Sequence, residues 1–139
     1  MKNELIQFIL QQNKISGGKL IKQPVVQYVE KIWDKATIII YNQNGKLSGF
    51  IAYYCNESSR QNAFLTMLSV SSEFSGQGVG KYLLDCSISD IARNKFQFFI
   101  LDVRTDNSIA IKLYENAGFK IVSEKEEFLR MKKIIMNNG

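Results

Sequence analysis

A glycine-rich stretch in the middle of the chain, Ser75 to Lys81 (SGQGVGK), constrains the fold more than any other feature. It follows the β-rich run Phe64 to Val70 and precedes apolar residues that recur at helical spacing from Val79 to Ile91. The sequence therefore predicts a strand, a tight turn and a helix. Glycines let a backbone turn sharply and approach a ligand closely. At a helix start, free N–H groups and the helix dipole favour an anion such as phosphate or pyrophosphate.

Two better-known phosphate-binding loops do not fit this stretch. The P-loop requires four residues between its glycines and then Lys followed by Ser or Thr, whereas three residues separate Gly76 from Gly80, and Tyr82 follows Lys81. The dinucleotide fingerprint requires a third glycine where Lys81 stands. The loop is therefore either another kind of phosphate cradle or a structural turn.

Histidine is absent from the 139 residues. Its absence excludes a Ser-His-Asp triad, a Cys-His nucleophile pair and every zinc site that uses imidazole. Cys55 and Cys86 are too few for a four-thiolate site, so no metal is expected, and both are expected to be small buried hydrophobes in a reducing cytoplasm. Catalysis would have to use carboxylates, Tyr, Lys, Ser, backbone dipoles or a bound cofactor.

The length and charge of the chain limit its class. We expect residues 1–139 to form a single domain, because domains most often have about 100–150 residues. No apolar run approaches the ~20 residues that span a bilayer, and Met1 to Asn13 lacks the apolar core of a signal peptide. The net charge of +5 permits an anionic partner, but the basic residues are scattered. We therefore expect a cytoplasmic protein that binds neither membrane nor nucleic acid.

The order of predicted elements indicates a mixed sheet with helices on its faces, an α/β (α+β) fold. Asn44-Gly45 is a strong hairpin signal. An antiparallel meander is expected first, then helix-strand-helix-strand-strand, with Thr105 or Asp106 capping the last helix and Gly118 ending it. The predicted helices cover Glu4 to Leu10, Pro24 to Trp33, Val79 to Ile91 and Ala110 to Ala117; the predicted strands cover Thr37 to Tyr41, Leu47 to Cys55, Phe64 to Val70, Phe96 to Val103, Phe119 to Val122 and Phe128 to Ile134.

Several short motifs recur in a fixed order: the glycine loop, then Leu101-Asp102-Val103-Arg104 with Asn107, then Tyr114 and Gly118-Phe119. This series resembles the GNAT family of N-acetyltransferases, with its signatures Gln/Arg-x-x-Gly-x-Gly/Ala and Asn followed by Tyr-x-x-x-Gly-Phe. The resemblance extends from Thr37 to about Ile134. Its Asp-Val-Arg-x-x-Asn stretch is most similar to the ribosomal-protein N-terminal alanine acetyltransferases. Two features depart from the pattern: Ser75 replaces the usual Gln or Arg, and the family's first strand is expected to be absent or shortened.

The resemblance implies acetyl transfer from acetyl-CoA to a primary amine by direct attack in a ternary complex. In the family the glycine loop holds the pyrophosphate, and the strand before it splays from its neighbour to bind the pantetheine arm, with donors that polarise the thioester carbonyl. The residues expected to bind acetyl-CoA are Leu68, Ser69, Val70, Gly76, Gln77, Gly78, Val79, Gly80, Lys81 and Asn107.

Two residues are candidates for catalysis, and the resemblance supports the first of them. Tyr114 would protonate the leaving thiolate, although a tyrosine on a helix face is usually a core aromatic. Asp102 is the best candidate for the general base, directly or through water, with an ordinary ion pair as the alternative. Strand alternation places it on the opposite face from Leu101 and Val103. Three other carboxylates are less well placed: Glu57, Glu73 and Glu115.

Three interpretations compete. The chain could acetylate a peptide amine, or a small amine such as an amino sugar or polyamine, because the substrate-facing segments carry no readable specificity code. It could also be a non-catalytic coenzyme A-binding module, which Ser75 favours and an intact Tyr114 and Asp102 disfavour. Nucleic-acid binding rests on charge alone. A homodimer is compatible with the sequence.

Overall fold

The computed structural model describes residues 1–136, and its elements follow the predicted order. A single-turn 3₁₀ helix, Ser72–Phe74, precedes the glycine loop. The helices are α1 (Lys2–Ile15), α2 (Val25–Lys35), α3 (Val79–Arg93) and α4 (Ser108–Asn116). The strands are β1 (Thr37–Gln43), β2 (Lys46–Tyr54), β3 (Asn62–Val70), β4 (Phe98–Arg104), β5 (Lys120–Lys125) and β6 (Phe128–Ile134).

The strands form one six-stranded mixed sheet in the order β1-β2-β3-β4-β6-β5. Every neighbouring pair is antiparallel except β3 and β4, which run parallel. The predicted turn at Asn44-Gly45 joins β1 to β2, and both residues have the positive φ, 54° and 74°, that a tight hairpin of this kind requires. The predicted fold class is confirmed.

Helices cover both faces of the sheet, and each face has its own core. On one face α3 and α4 pack on the central strands through residues such as Leu83, Leu84 and Tyr114. On the other face α1 and α2 contribute Leu5 and Val29, among others. Alternation along β2 supplies both cores, because successive side chains point to opposite faces. Residues 2–35 hold the two helices, so the described chain has no strand before β1.

Among the local predictions that were wrong are the cap of α4, the start of β4 and the end of β5. The helix α4 is capped by Asn107, whose Oδ1 accepts a bond of 3.2 Å from the N–H of Ala110, and not by Thr105 or Asp106. The carboxylate of Asp106 instead binds Arg104. The strand β4 begins at Phe98, because Phe96 is buried in the turn after α3, where its N–H donates to the carbonyl of Ile91. The strand β5 runs on to Lys125, three residues beyond the predicted end at Val122.

Candidate active site

The strands β3 and β4 separate halfway along their length. Residues 62–65 of β3 pair with residues 98–101 of β4, which we call the paired half. Beyond Leu65 and Leu101 the two strands no longer bond to each other, and residues 66–70 and 102–104 form the split half. A bulge at Thr66 marks the transition, because Leu65 pairs with Tyr53 while Met67 pairs with Ala52. A bulge of this kind bends its strand and ends regular pairing.

A cavity of about 680 Å³ occupies the split half. It brings together five of the predicted site residues: Leu68, Ser69, Asp102, Asn107 and Tyr114. Val70 and the glycine loop do not line it; they lie where β3 leaves the sheet and leads into α3. The cavity therefore contains the predicted acid, the predicted base and the free edge of β3, with the glycine loop beyond its end.

The glycine loop has the geometry of an anion site. Gly76 and Gly78 have φ values of +78° and +79°, which residues with a side chain rarely adopt, and Gly78 is the N-cap of α3. Among the described residues, none accepts a hydrogen bond from the backbone N–H groups between Gly76 and Lys81. The ammonium group of Lys81 is partnered with Asp85 at 2.8 Å and exposed. The free N–H groups at the helix start fit a pyrophosphate, and the unpaired β3 edge fits an extended amide chain such as pantetheine.

Tyr114 reaches the cavity from α4, on the opposite face of the sheet from α1 and α2. Asn107 fixes the start of this helix, and Gly118, at φ +99°, ends it just after Tyr114. The ring packs against Phe119 with centroids 5.7 Å apart, and the residue is 6% exposed. Burial raises the pKa of the Tyr114 phenol above its usual value. No other described residue forms a hydrogen bond with its hydroxyl, so this group is available to bond a ligand in the cavity.

Asp102 projects from β4 opposite Leu101 and Val103, as alternation predicted. It is the cross-strand partner of Arg130 on β6. The Arg130 guanidinium donates to both carboxylate oxygens, at 2.8 Å and 3.0 Å. This bidentate bond raises the pKa of Arg130. The carboxylate is thus both a cavity residue and half of an ion pair, the two interpretations that the sequence had left open.

The far end of the cavity is lined by the segment between α1 and α2 and carries mixed charge. The ammonium of Lys22 binds Glu127 at 2.7 Å, and Arg104 reaches Glu127 at 3.3 Å and Asp106 at 3.2 Å. The bond from Lys22 lowers the pKa of Glu127, and the bond from Arg104 lowers that of Asp106. We call Lys22, Arg104, Asp106 and Glu127 the charged rim.

Sequence reasoning missed several residues of this site. Tyr28, on α2, is buried in the cavity wall, and its hydroxyl lies 3.0 Å from that of Thr66. Burial raises the pKa of Tyr28 to about 12. The sequence marked Tyr28 only as part of an apolar helix face, and it gave no signal for Arg130 or for the charged rim. The bonds of Tyr28 with Thr66, of Arg130 with Asp102 and of Lys22 with Glu127 join residues 28 to 105 positions apart, so no local pattern contains them.

The weaker base candidates lie elsewhere. Glu57, Glu73 and Glu115 do not line the cavity. Glu57 accepts a bond from Ser59, and Glu73 pairs with Lys46 at 3.3 Å. Residues 1–136 contain no group of His, Cys, Asp and Glu arranged to hold a metal ion. None of the helices in that range is both long and apolar enough to cross a membrane.

Known acetyltransferases are similar to this chain in sequence and in fold. The [Ribosomal protein bS18]-alanine N-acetyltransferase of Haemophilus ducreyi is 29% identical over 107 residues, which cover 71% of this chain and 73% of that enzyme. Its Escherichia coli K12 counterpart is 32% identical over 77 residues, 55% of this chain and 50% of that enzyme. An aminoglycoside 6'-N-acetyltransferase complexed with coenzyme A has the same fold, with a TM-score of 0.81 and 15% identity over 99% of this chain and 92% of that one.

A model of a protein family matches most of the chain. The model of the Acetyltransferase (GNAT) family matches residues 9–119, a span that contains α2, the glycine loop, the split half and α4. The resemblance drawn from the glycine loop and the Asn-to-Tyr motif is therefore confirmed, and this chain belongs to the GNAT family of acetyltransferases.

Proposed function

We propose that this protein transfers the acetyl group of acetyl-CoA to the α-amine at the N-terminus of a polypeptide. The observation that carries the proposal is the split half, where a free strand edge, an unbonded phenol and a carboxylate line one cavity. In this arrangement an extended donor and a separate amine can be held together, as direct attack requires.

The donor would be held mainly by main-chain groups. Acetyl-CoA supplies an activated thioester. The free N–H groups from Gly76 to Lys81 bind its pyrophosphate, and the β4-facing backbone groups of residues 66–70 bind the pantetheine arm. The side chain of Asn107 is already used in part, because its oxygen caps α4. Its amide NH₂ remains a donor on the cavity wall.

Two side chains would manage the protons. The amine lone pair forms the new C–N bond, the C–S bond breaks with its electron pair on sulfur, and the hydroxyl of Tyr114 donates a proton to that sulfur. The carboxylate of Asp102 accepts the proton lost from nitrogen through water, using the lone pairs that Arg130 leaves free. The proton taken up by Asp102 then passes through solvent to the Tyr114 phenolate, which restores both side chains. The net products are the amide and the free thiol of coenzyme A.

The acceptor class is inferred from relatives and from the rim. The relatives from Haemophilus ducreyi and Escherichia coli are named as alanine N-acetyltransferases of a ribosomal protein. The acceptor side of this cavity lies open to the segment between α1 and α2, and the charged rim offers both signs of charge to a polypeptide backbone and its side chains. A small amine such as an aminoglycoside or polyamine is the second candidate for the acceptor, and an assay must distinguish it from a peptide.

The test is release of coenzyme A thiol from acetyl-CoA with a panel of N-terminal peptides, amino sugars and polyamines. We expect turnover with peptides and their acetylation at the α-amine, seen by mass spectrometry. Turnover with small amines alone would overturn the acceptor class. Absence of turnover with every acceptor, despite coenzyme A binding, would favour the non-catalytic binding module.

Coenzyme A binding itself is measured by thermal shift. A ligand that binds only the folded state raises Tm. At a ligand concentration of a hundred times Kd, the free energy of unfolding increases by about 2.7 kcal/mol. Gly78→Val should abolish this rise, because a branched side chain cannot adopt φ +79° without strain in the cradle. Gly45→Val is the matched control, since Gly45 has φ +74° and open space around it but lies in the β1–β2 hairpin. A shift that survives Gly78→Val would place the cofactor elsewhere.

A further inference from the structure

The pair formed by Asp102 and Arg130 stands at the point where the sheet opens. Asp102 is the first residue of β4 beyond its last bond to β3, and Arg130 is the cross-strand neighbour that fixes it from the other side. The guanidinium also lies 5.8 Å from the ring centre of Phe64, which restricts its position. Arg130 is thus held from two directions, with both of its forked donors on the carboxylate.

The stability of the fold does not account for this arrangement. The side chains of Arg130 and Asp102 are 48% and 37% exposed, and ion pairs in such surroundings contribute little to stability because water screens them. A bidentate fork does, however, fix the orientation of a carboxylate. The pair therefore has a geometric effect at the site that is larger than its effect on folding.

The guanidinium of Arg130 also changes how the Asp102 carboxylate interacts with an acceptor amine. An acceptor amine enters as an ammonium ion at neutral pH and must lose a proton before it can attack. A carboxylate without a partner would stabilise the ammonium and hold the amine in its unreactive form. A carboxylate already balanced by a guanidinium attracts that ammonium less, yet each oxygen keeps a lone pair to accept a proton.

We propose that Arg130 is a positioning residue that orients the Asp102 carboxylate and balances its charge, so that the acceptor amine reaches the thioester unprotonated. The inference rests on the proposed function, since it assigns a role in the same reaction. The other charged or titratable groups that line the cavity with Asp102 are Lys19, Lys22, Arg104, Asp106, Tyr28 and Tyr114. Lys22, Arg104 and Asp106 are paired within the charged rim, and Lys19 lies 3.6 Å from Asp106. None of these cations bonds to Asp102, so among the described residues Arg130 alone balances it.

The experiment is the pH profile of kcat, at saturating acceptor, in four proteins: wild type, Arg130→Gln, Arg130→Lys and Lys132→Gln. Removing the guanidinium leaves an unbalanced carboxylate beside the bound amine, which then holds its proton more tightly. Arg130→Gln should therefore move the acidic limb of the profile to higher pH by about one unit. Arg130→Lys keeps the charge but loses the fork, so the limb should stay in place while kcat falls several-fold.

Lys132→Gln is the matched control, because Lys132 lies two residues along β6 on the same face, 3.7 Å from the ring centre of Phe98, and outside the cavity. Its profile should match the wild type. A profile for Arg130→Gln that superimposes on the wild type, or an equal shift in Lys132→Gln, would overturn the role of Arg130 while leaving the acetyltransferase intact.

A second measurement separates this role from a purely structural one. In an Asp102→Asn background, Arg130→Gln should have no further effect on the profile, because the carboxylate it serves is gone. Tm and the thermal shift with coenzyme A should be nearly unchanged in all variants, since the pair is exposed. A wild type that binds coenzyme A but acetylates no acceptor would overturn the proposed function together with the role of Arg130.

Discussion

The paired and split halves of the β3–β4 interface are made by the same two strands and differ in what their backbones do. In the paired half the main-chain groups bond to each other, and the fully buried Phe99 and Leu101 fill the core. In the split half the facing groups are free, and polar side chains such as Asp102 stand in the gap. Hydrogen bonds in the paired half hold β3 and β4 at a fixed separation. The paired half therefore sets how far apart the two strands are where the split half begins. A cavity can thus be formed by ending the pairing of two strands at one residue.

The strongest test of the split half is Tyr114→Phe. The ring and its packing on Phe119 remain, but the proton donor is lost, so kcat should fall by the roughly 10²–10⁴ typical of a lost general acid. Coenzyme A affinity should be unchanged. The check is kcat with chemistry shown to be rate-limiting, alongside a thermal shift on both proteins. An unchanged kcat would make Tyr114 a core aromatic and leave the split half without its acid.

The paired half should respond in the opposite way. Leu101→Ala removes a side chain that is 0% exposed and should cost about 2–5 kcal/mol in the free energy of unfolding. Leu68→Ala deletes the same atoms from a half-buried position in the split half and should cost clearly less. Both proteins should retain the coenzyme A thermal shift, because the backbone carries those contacts. Urea unfolding measures the two costs, and equal costs would erase the distinction between the halves.

Tyr28 ties α2 to the bulge that divides the halves, and its pKa of about 12 gives a test by pH. Above pH 10 the phenol ionises in the unfolded chain while the folded protein keeps its proton, so the unfolded state is favoured. Stability should therefore fall by about 1.4 kcal/mol per pH unit from this residue between pH 10 and 12.

In Tyr28→Phe, the free energy of unfolding should fall less steeply with pH, by about 1.4 kcal/mol per pH unit between pH 10 and 12. The remaining slope comes from groups such as Tyr53 and Tyr114, whose pKa values burial also raises. Tyr41→Phe on β1 controls for the loss of a phenol. Parallel curves for wild type and Tyr28→Phe between pH 10 and 12 would contradict the burial of this hydroxyl.

The smallest effect is expected at the charged rim, where we propose that the acceptor binds. Lys22→Gln removes a positive charge and should lower KM for a cationic peptide by about threefold at low salt, whereas Glu127→Gln should raise it by a similar factor. Both effects should fade at high ionic strength, because the side chains are exposed and screened. Changes of the same sign in the two variants would show that the rim acts through shape and not through charge.

Much of this architecture could be predicted from the sequence, for local reasons. The hairpin at Asn44-Gly45 and the helix after the glycine loop follow from residues that specify backbone conformation by themselves. Tyr114 and Asp102, which both line the cavity, were singled out because their motifs fix their spacing within one helix and one strand. The bulge at Thr66 was not foreseen, since a single extra residue barely alters an alternating pattern.

The hydrogen-bonding partners of the cavity residues could not be predicted from local sequence patterns. Arg130 meets Asp102 only because β6 inserts between β4 and β5, an order that depends on the whole sheet. The bond between Lys22 and Glu127 depends on where the segment after α1 lies relative to the last hairpin. Such contacts are set by tertiary packing, and the side chains that make them are ordinary surface residues in the sequence.

The free main-chain edge of β3 has a consequence for how such a protein could acquire a new substrate. In the proposed function the donor is bound by main-chain amide groups, which every residue possesses, so substitutions there that keep the backbone would leave the donor site working. The acceptor side proposed here is lined by the side chains of Tyr28, Lys22, Glu127 and their neighbours, and each of these can be replaced. A few changes at the acceptor end could therefore retarget the chain to a different amine without any adjustment to its acetyl donor, which makes this end the natural starting point for redesign.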